Sequence, residues 1–180
     1  KSKRDIISDF TKKKFWKAYF YIITYKYISS ACQSLVIKYF AKPKETSETN
    51  LNGTLNILVI CRKFSFIKSA VIITSDKCYL NKEIERGYRE DDILGGQDPY
   101  SASKASAEII FNAYNINFFK KKKIGVATCL SGNVIGGGNW SENRIIPNAI
   151  KSIKNQKKLY LINTLSKRTW QQELDTIREN

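Results

Sequence analysis

Residues 66–74 (FIKSAVIIT) end in an unbroken apolar run, Ala70 to Ile73, that passes directly into Ser75-Asp76-Lys77. A short continuous run of β-branched residues bounded by polar ones is the pattern of a strand buried on both faces of a parallel sheet, and such a sheet needs helices to cover it. Ile124 to Leu130 (IGVATCL) repeats the pattern, and Ala18 to Val36 holds a third strand within an aromatic and β-branched stretch. The helices stand between them. Pro43 occupies a first-turn position, and Leu51, Leu55, Ile57, Val59 and Ile60 then recur at helical spacing. Tyr100 to Phe119 reads as a second helix, with Ala105, Ile109, Phe111 and Tyr114 at its apolar positions. Strand and helix in alternation define an α/β fold with a doubly wound parallel sheet.

The remaining segments fit around that frame. Ser75 to Pro99 is a polar, glycine-containing loop, and Lys120 to Lys123 is a solvated helix end, where cations complement the dipole. SGNVIGGGNW, residues 131–140, is a glycine-rich loop, Arg144 to Lys154 a helix, and Lys158 to Asn163 a short strand. The chain has 31 Lys+Arg against 16 Asp+Glu, a net charge of +15 that attracts polyanions. The lysines are scattered rather than grouped with a nucleic-acid motif, so the excess reads as compositional bias and no specific nucleic-acid partner is expected. Cys32, Cys61, Cys78 and Cys129 form no C-x-x-C, and with no His in the chain no metal site is expected. Unpatterned cysteines suit a reducing, cytoplasmic setting. Lys17 and Lys26 interrupt the apolar stretch from Phe15 to Ile28, which argues against a membrane span or a signal-peptide core.

Chemistry concentrates in two places. Residues four apart on a helix share a face, so Tyr100 and Lys104 address one site. A fixed cation stabilises phenolate and lowers a pKa that starts near ~10 toward the range of a general base. With ten Tyr in the chain, this spacing arises about once by chance, so its context carries the weight. That context is the strand end. In a parallel sheet the residues just past a strand's carboxyl end line the ligand crevice, and here they are Ser75, Asp76 and Lys77. A serine hydroxyl can hydrogen-bond a reacting alcohol or carbonyl, Asp76 can carry a proton, and Lys77 adds charge beside it. An ordinary turn would also favour Ser and Asp.

Together these residues resemble the extended short-chain dehydrogenase/reductase family, the NAD-dependent epimerases and dehydratases. TSDKCYLN, GYREDD, GGQDPYSASKASAE and SGNVIGGGNWSENRIIPN, in that order, are similar to the CDP-glucose 4,6-dehydratases within it, from about Ser29 to Trp170. Asp76-Lys77 favours that group over the dTDP-glucose enzymes, which carry Asp-Glu there. The resemblance implies NAD as cofactor and a nucleotide sugar as substrate, and leaves room for a homo-oligomer in the intact enzyme. It implies catalysis by Ser75, Asp76, Lys77, Tyr100 and Lys104, with Tyr100 and Lys104 also touching the cofactor. Asn133, Arg144 and Arg168 would bind the substrate's diphosphate, Arg168 through its planar fork.

The chain departs from the family at both ends. Its first glycine is Gly53, and no G-x-G-x-x-G turn is present to hold a pyrophosphate. Residues 1–28 read as a degraded or divergent lead-in. Residues 29–180 read as a partial NAD-binding and catalytic domain with the start of a substrate lobe, its Rossmann-like sheet lacking the first βαβ unit. No Met occurs, position 1 included. The expectation is therefore a dehydratase fragment, inactive as an isolated chain. The alternatives are a related epimerase, a non-catalytic remnant and a basic binding module.

Overall fold

The computed structural model describes residues 26–29, 32–122, 124–161 and 163–175. They fall into two compact units that divide between Leu130 and Ser131. In the first, strands β1 (Lys26–Ser29), β2 (Ser69–Ile73) and β3 (Gly125–Cys129) form a parallel sheet in chain order. The register places Ile28 opposite Val71 and Val71 opposite Ala127. Strand β1 crosses the 28/29 boundary read from sequence, and the lead-in before Lys26 lies outside the described residues.

Two long helices cover one face of this sheet. A short helix α1 (Val36–Ala41) leads to α2 (Pro43–Ser47), with Pro43 in its first turn as expected. A wider π-type turn, Glu48–Asn52, then runs on into α3 (Gly53–Lys63). Helix α4 (Pro99–Tyr114) follows the loop after β2 and ends in a second π-type turn, Asn115–Phe119. From α3, Ile57, Leu58, Ile60 and Cys61 pack with Ile67, Ala70, Ile72, Phe119 and Val126 into the core. Burial of each large aliphatic side chain there contributes about 1.5–3 kcal/mol. The helical spacing in this region is right, but the buried stripe runs along Ile57, Ile60 and Cys61, and Leu51, Leu55 and Val59 flank it half-buried.

Three expectations are corrected in this unit. Strand β2 is not buried on both faces: Ala70 and Ile72 are covered, while Ser69, Val71 and Ile73 are half-buried. Strand β3 buries only Val126 fully, and Ile28 on β1 stays 75% exposed. The cause is that α3 and α4 both pack on the Ala70–Ile72–Val126 side, so the row Ile28–Val71–Ala127 lacks a covering helix among the described residues. Ile109 is 58% exposed, because the inward stripe of α4 is small and polar: Ser101, Lys104, Ala105 and Glu108. Of the expected Lys120–Lys123 segment, Lys120–Lys122 is exposed as expected and Lys123 lies outside the described residues; Lys122 Nζ donates to the Arg62 carbonyl in the last turn of α3 (2.9 Å), a favourable cation at a helix C-terminus.

In the second unit, β4 (Asn133–Ile135) and β5 (Trp170–Gln172) pair in parallel, and α5 (Ile145–Lys154) begins just after Arg144. The glycine-rich segment is thus partly strand rather than all loop. The short strand expected at Lys158 to Asn163 does not form among its described residues, Ile162 lying outside them: Leu159, Tyr160 and Leu161 are exposed, and β4 takes β5 as its partner. Gly132 lies against Thr169, so a Cβ there would overlap the Thr169 hydroxyl. Among the described residues no helix is long and apolar enough to cross a membrane.

Candidate active site

The chain leaves β2 through Thr74 and turns at Ser75. Ser75 is buried and extended, and its hydroxyl caps the short 3₁₀ turn Asp76–Cys78, accepting from Lys77 N (3.2 Å) and donating to Asp76 Oδ1 (3.1 Å). Asp76 and Lys77 are both partly exposed, and the Lys77 ammonium stands 3.9 Å from Asp76 Oδ2. An exposed pair at that distance contributes little to stability, which leaves the carboxyl available for chemistry.

Helix α4 packs against this turn. Its start is fixed by Asp98, whose Oδ1 accepts from the backbone N–H of Tyr100 and Ser101 (2.9 Å each) and whose Oδ2 accepts from Ser101 Oγ (2.6 Å). Pro99 occupies the first helical position, where its missing N–H is not needed. Gly96 runs so close to the first turn that a Cβ there would overlap the Ser101 and Ala102 backbone. These features seat Tyr100 at the helix entrance, half-buried, with its ring stacked on Tyr39 (5.8 Å between centroids, 17°).

One turn on, Lys104 is only 3% exposed. Its Nζ donates to the carbonyl of Ile73, the last residue of β2 (3.3 Å). Burial pushes the amine below its usual range, while the nearby Cys32, Glu108 and Cys78 act in the opposite direction. Ser75 and Lys104 therefore meet at the same strand end, from the turn and from the helix.

Three groups that sequence reading passed over complete the surroundings. Glu108, one turn beyond Lys104, is 9% exposed and accepts from the Thr74 and Thr128 hydroxyls. Asn50, at the centre of the first π-type turn, exchanges hydrogen bonds with the Gln33 backbone (2.8 and 3.2 Å) and donates to Ser103 Oγ (2.9 Å). Ser103 Oγ in turn donates to the Tyr100 carbonyl (2.7 Å), tying the loop after β1 to the first turn of α4. The signal for Glu108 was the four-residue spacing Tyr100, Lys104, Glu108; a polar residue in a π-type turn within a helix was the signal for Asn50.

Asn133, Arg144 and Arg168 belong to the second unit. Asn133 Nδ2 donates to the Thr169 carbonyl (3.2 Å), which places Asn133 beside the segment that begins at Arg168. Arg168 is exposed, with Nη1 on the Lys167 carbonyl (2.8 Å). Arg144 stands at the amino end of α5, half-buried.

A parallel sheet with a serine at a strand end and a Tyr-x-x-x-Lys on the next helix has the fold of nucleotide-sugar dehydratases and epimerases of known structure. The structure of a double mutant of a dTDP-glucose 4,6-dehydratase from Streptomyces venezuelae, with NAD bound, superposes with a TM-score of 0.80 at 21% identity, covering 95% of this chain and 51% of that one. The UDP-glucose 4-epimerase of Thermotoga maritima, with UDP-glucose, gives 0.82 at 14% identity, covering 96% and 56%. The chain belongs to the GDP-mannose 4,6 dehydratase family, which it matches over residues 20–179. It is 41% identical over 152 residues to the CDP-glucose 4,6-dehydratase of Salmonella typhimurium, covering 82% of this chain and 42% of that protein. It thus spans about half the length of these relatives.

Proposed function

We propose that the chain carries the catalytic centre of a nucleotide-sugar 4,6-dehydratase that acts on CDP-glucose with NAD. The observation that carries this reading is the 41% identity to the Salmonella CDP-glucose enzyme, over 82% of the chain, a span that takes in residues 75–104 wherever it begins. The geometry supports it, since Ser75 and Lys104 converge on one strand end.

Lys104 fits the nicotinamide-ribose end of the cofactor. It is a buried amine with one protein acceptor among the described residues, the Ile73 carbonyl, so further N–H donors remain for ribose hydroxyls. The fit covers that end alone, since no strand, glycine-rich turn and helix of the pyrophosphate-binding kind occurs among the described residues. When bound, NAD supplies a hydride acceptor for C4 that later returns the hydride at C6. Tyr100 takes the proton of the sugar 4-hydroxyl, and the positive charge of Lys104 favours the phenolate. Ser75 hydrogen-bonds the same sugar oxygen, once its hydroxyl turns from Asp76. The C4 ketone acidifies C5–H: a base that Lys77 assists takes the C5 proton, Asp76 protonates the departing 6-hydroxyl so that water leaves, and the base then returns a proton to C5. Asn133, Arg144 and Arg168 hold the nucleotide diphosphate, and the exposed guanidinium of Arg168 suits this best.

The test completes the chain at both ends with the matching segments of the Salmonella homologue. The product converts CDP-glucose to its 4-keto-6-deoxy form with no net use of added NAD. Tyr100→Phe slows the reaction by at least ~10²–10⁴-fold by removing the base, whereas Asp76→Asn lets a 4-keto hexose accumulate before water is lost. Loss of both variants at the same step refutes the separate roles, and a preference for dTDP-glucose refutes Lys77 as the mark of the CDP-glucose group.

A further inference from the structure

We propose that Glu108 is a positioning residue for the Tyr100–Lys104 pair, a buried carboxylate that locks α4 to the carboxyl ends of both β2 and β3. The proposal rests on the dehydratase reading for the meaning of that pair, and on its own geometry for everything else.

The geometry is a two-pronged clamp. One carboxylate oxygen of Glu108 accepts from Thr74 Oγ1, at the residue between β2 and Ser75. The other accepts from Thr128 Oγ1 on β3 (2.9 Å). Thr74 is itself fixed, its N–H donating to the Cys129 carbonyl (2.8 Å). One turn earlier, Lys104 Nζ reaches the Ile73 carbonyl. Successive turns of α4 thus grip the last residue of β2 and the residue after it, and Glu108 adds the neighbouring strand. A slide or rotation of the helix would break both threonine bonds, so the clamp sets the height and direction of Tyr100 and Lys104 over the strand end.

The choice of glutamate is informative. No Lys or Arg forms an ion pair with Glu108 among the described residues. A glutamine could span the same two threonines, so a carboxylate held by hydroxyls alone points to a use for its charge. That charge lies one turn from the amine of Lys104. The other ionisable groups facing Lys104 are Cys32 from the loop after β1 and Cys78 from the 3₁₀ turn. Burial pushes the Cys78 thiol up to about 12, with Glu108 and Asp76 adding to the shift, so this thiol stays neutral. Burial lowers the proton affinity of Lys104; Cys32 and then Glu108, the carboxylate of the set, oppose that shift in part. For charges separated by about the 6 Å spacing of Cβ atoms one helical turn apart, at an effective dielectric near 20, proton affinity changes by roughly tenfold to a hundredfold.

The test follows the titration of Lys104 in the full chain by proton–nitrogen NMR of labelled lysine, alongside urea unfolding. Glu108→Gln keeps the shape and lowers the proton affinity of Lys104 at least tenfold. Thr74→Val and Thr128→Val weaken the clamp and lower stability, but keep the charge, so the affinity changes less than threefold. Glu108→Asp, too short for both threonines, loses stability and likewise keeps the affinity within about threefold. It covers the case in which the glutamine variant does not fold. A folded Glu108→Gln with Lys104 affinity unchanged within twofold overturns the proposal, as does a Glu108→Asp variant that loses tenfold. These titrations use neither NAD nor substrate, so their failure is distinct from that of the dehydratase reading, which only turnover decides.

Discussion

Replacing Asp98 by alanine tests how the site is seated, and its magnitude follows from the bonds removed. The carboxylate accepts three hydrogen bonds, from Tyr100 N, Ser101 N and Ser101 Oγ. Loss of an N-cap acceptor costs about 0.5–2 kcal/mol. Ser101 is buried, so its hydroxyl loses its acceptor without gaining water, for about 1 kcal/mol more. The negative charge at the helix amino end contributes a few tenths of a kcal/mol, up to about 1. The sum is about 2–4 kcal/mol, or roughly 4–16 °C in Tm for a chain of this size. Asp98→Asn keeps one carbonyl oxygen for the two backbone donors and should cost about 1 kcal/mol. Urea unfolding followed by far-ultraviolet circular dichroism measures both, with an unchanged m-value marking a shift in stability alone. Native-state hydrogen exchange adds the local view: the amides of Tyr100 and Ser101 should lose protection before those deeper in α4. An alanine variant within about 0.5 kcal/mol of the parent, or equal to the asparagine variant, would refute the claim that this side chain holds the helix entrance.

Two further outcomes are expected. Leu58→Ala, at a fully buried position, should cost about 2–5 kcal/mol, whereas Ile109→Ala on the exposed face of the same core pair of helices should stay within about 0.5 kcal/mol; denaturant melts decide, and a reversed order would place the core wrongly. At pH 8, iodoacetamide should reach exposed Cys32 first, while Cys61, pushed up to about 11 by burial, and Cys78, pushed up to about 12, should react only after unfolding in urea; mass spectrometry of the labelled peptides reads the order, and equal native rates would contradict it.

What could be read from residues alone was strongest where one local pattern had one physical meaning. The run Ala70 to Ile73 could hardly be anything but a strand, and Tyr100 with Lys104 at helical spacing had to share a face. Burial on the second sheet face was over-read, because an apolar run reports that a side chain tolerates burial, and the covering helix is a separate fact. Ile109 was misplaced for a related reason. The inward stripe of α4 carries Ser101, Lys104 and Glu108, so hydrophobicity points away from the functional side. Glu108 escaped notice because a glutamate in a helix usually faces water; its spacing from Lys104 hints at a shared face, and its two threonine donors, 34 and 20 residues away in the chain, establish it. Strand β5 was missed because Trp170-Gln171-Gln172 has no alternation; all three residues are exposed, so its pairing with β4 leaves little trace in residue type.

Because β1, β2 and β3 lie side by side in the order of the chain, the sheet can grow during synthesis by adding each strand to the edge left by the last. Among the described residues of this sheet, no later strand has to insert between earlier ones. The site, however, closes late. Helix α4 emerges with Lys104 and Glu108 in place, yet Thr128 is still to come. From the end of β2 at Ile73 to the start of β3 at Gly125 the ribosome must add about fifty residues, or about 3–10 s at ordinary rates of translation. Throughout that interval β2 presents a bare edge of backbone N–H and C=O groups, open to pairing with any other extended chain. The arrival of Thr128 ends both conditions at once, because the strand that closes the edge is the one that supplies the second hydroxyl to Glu108.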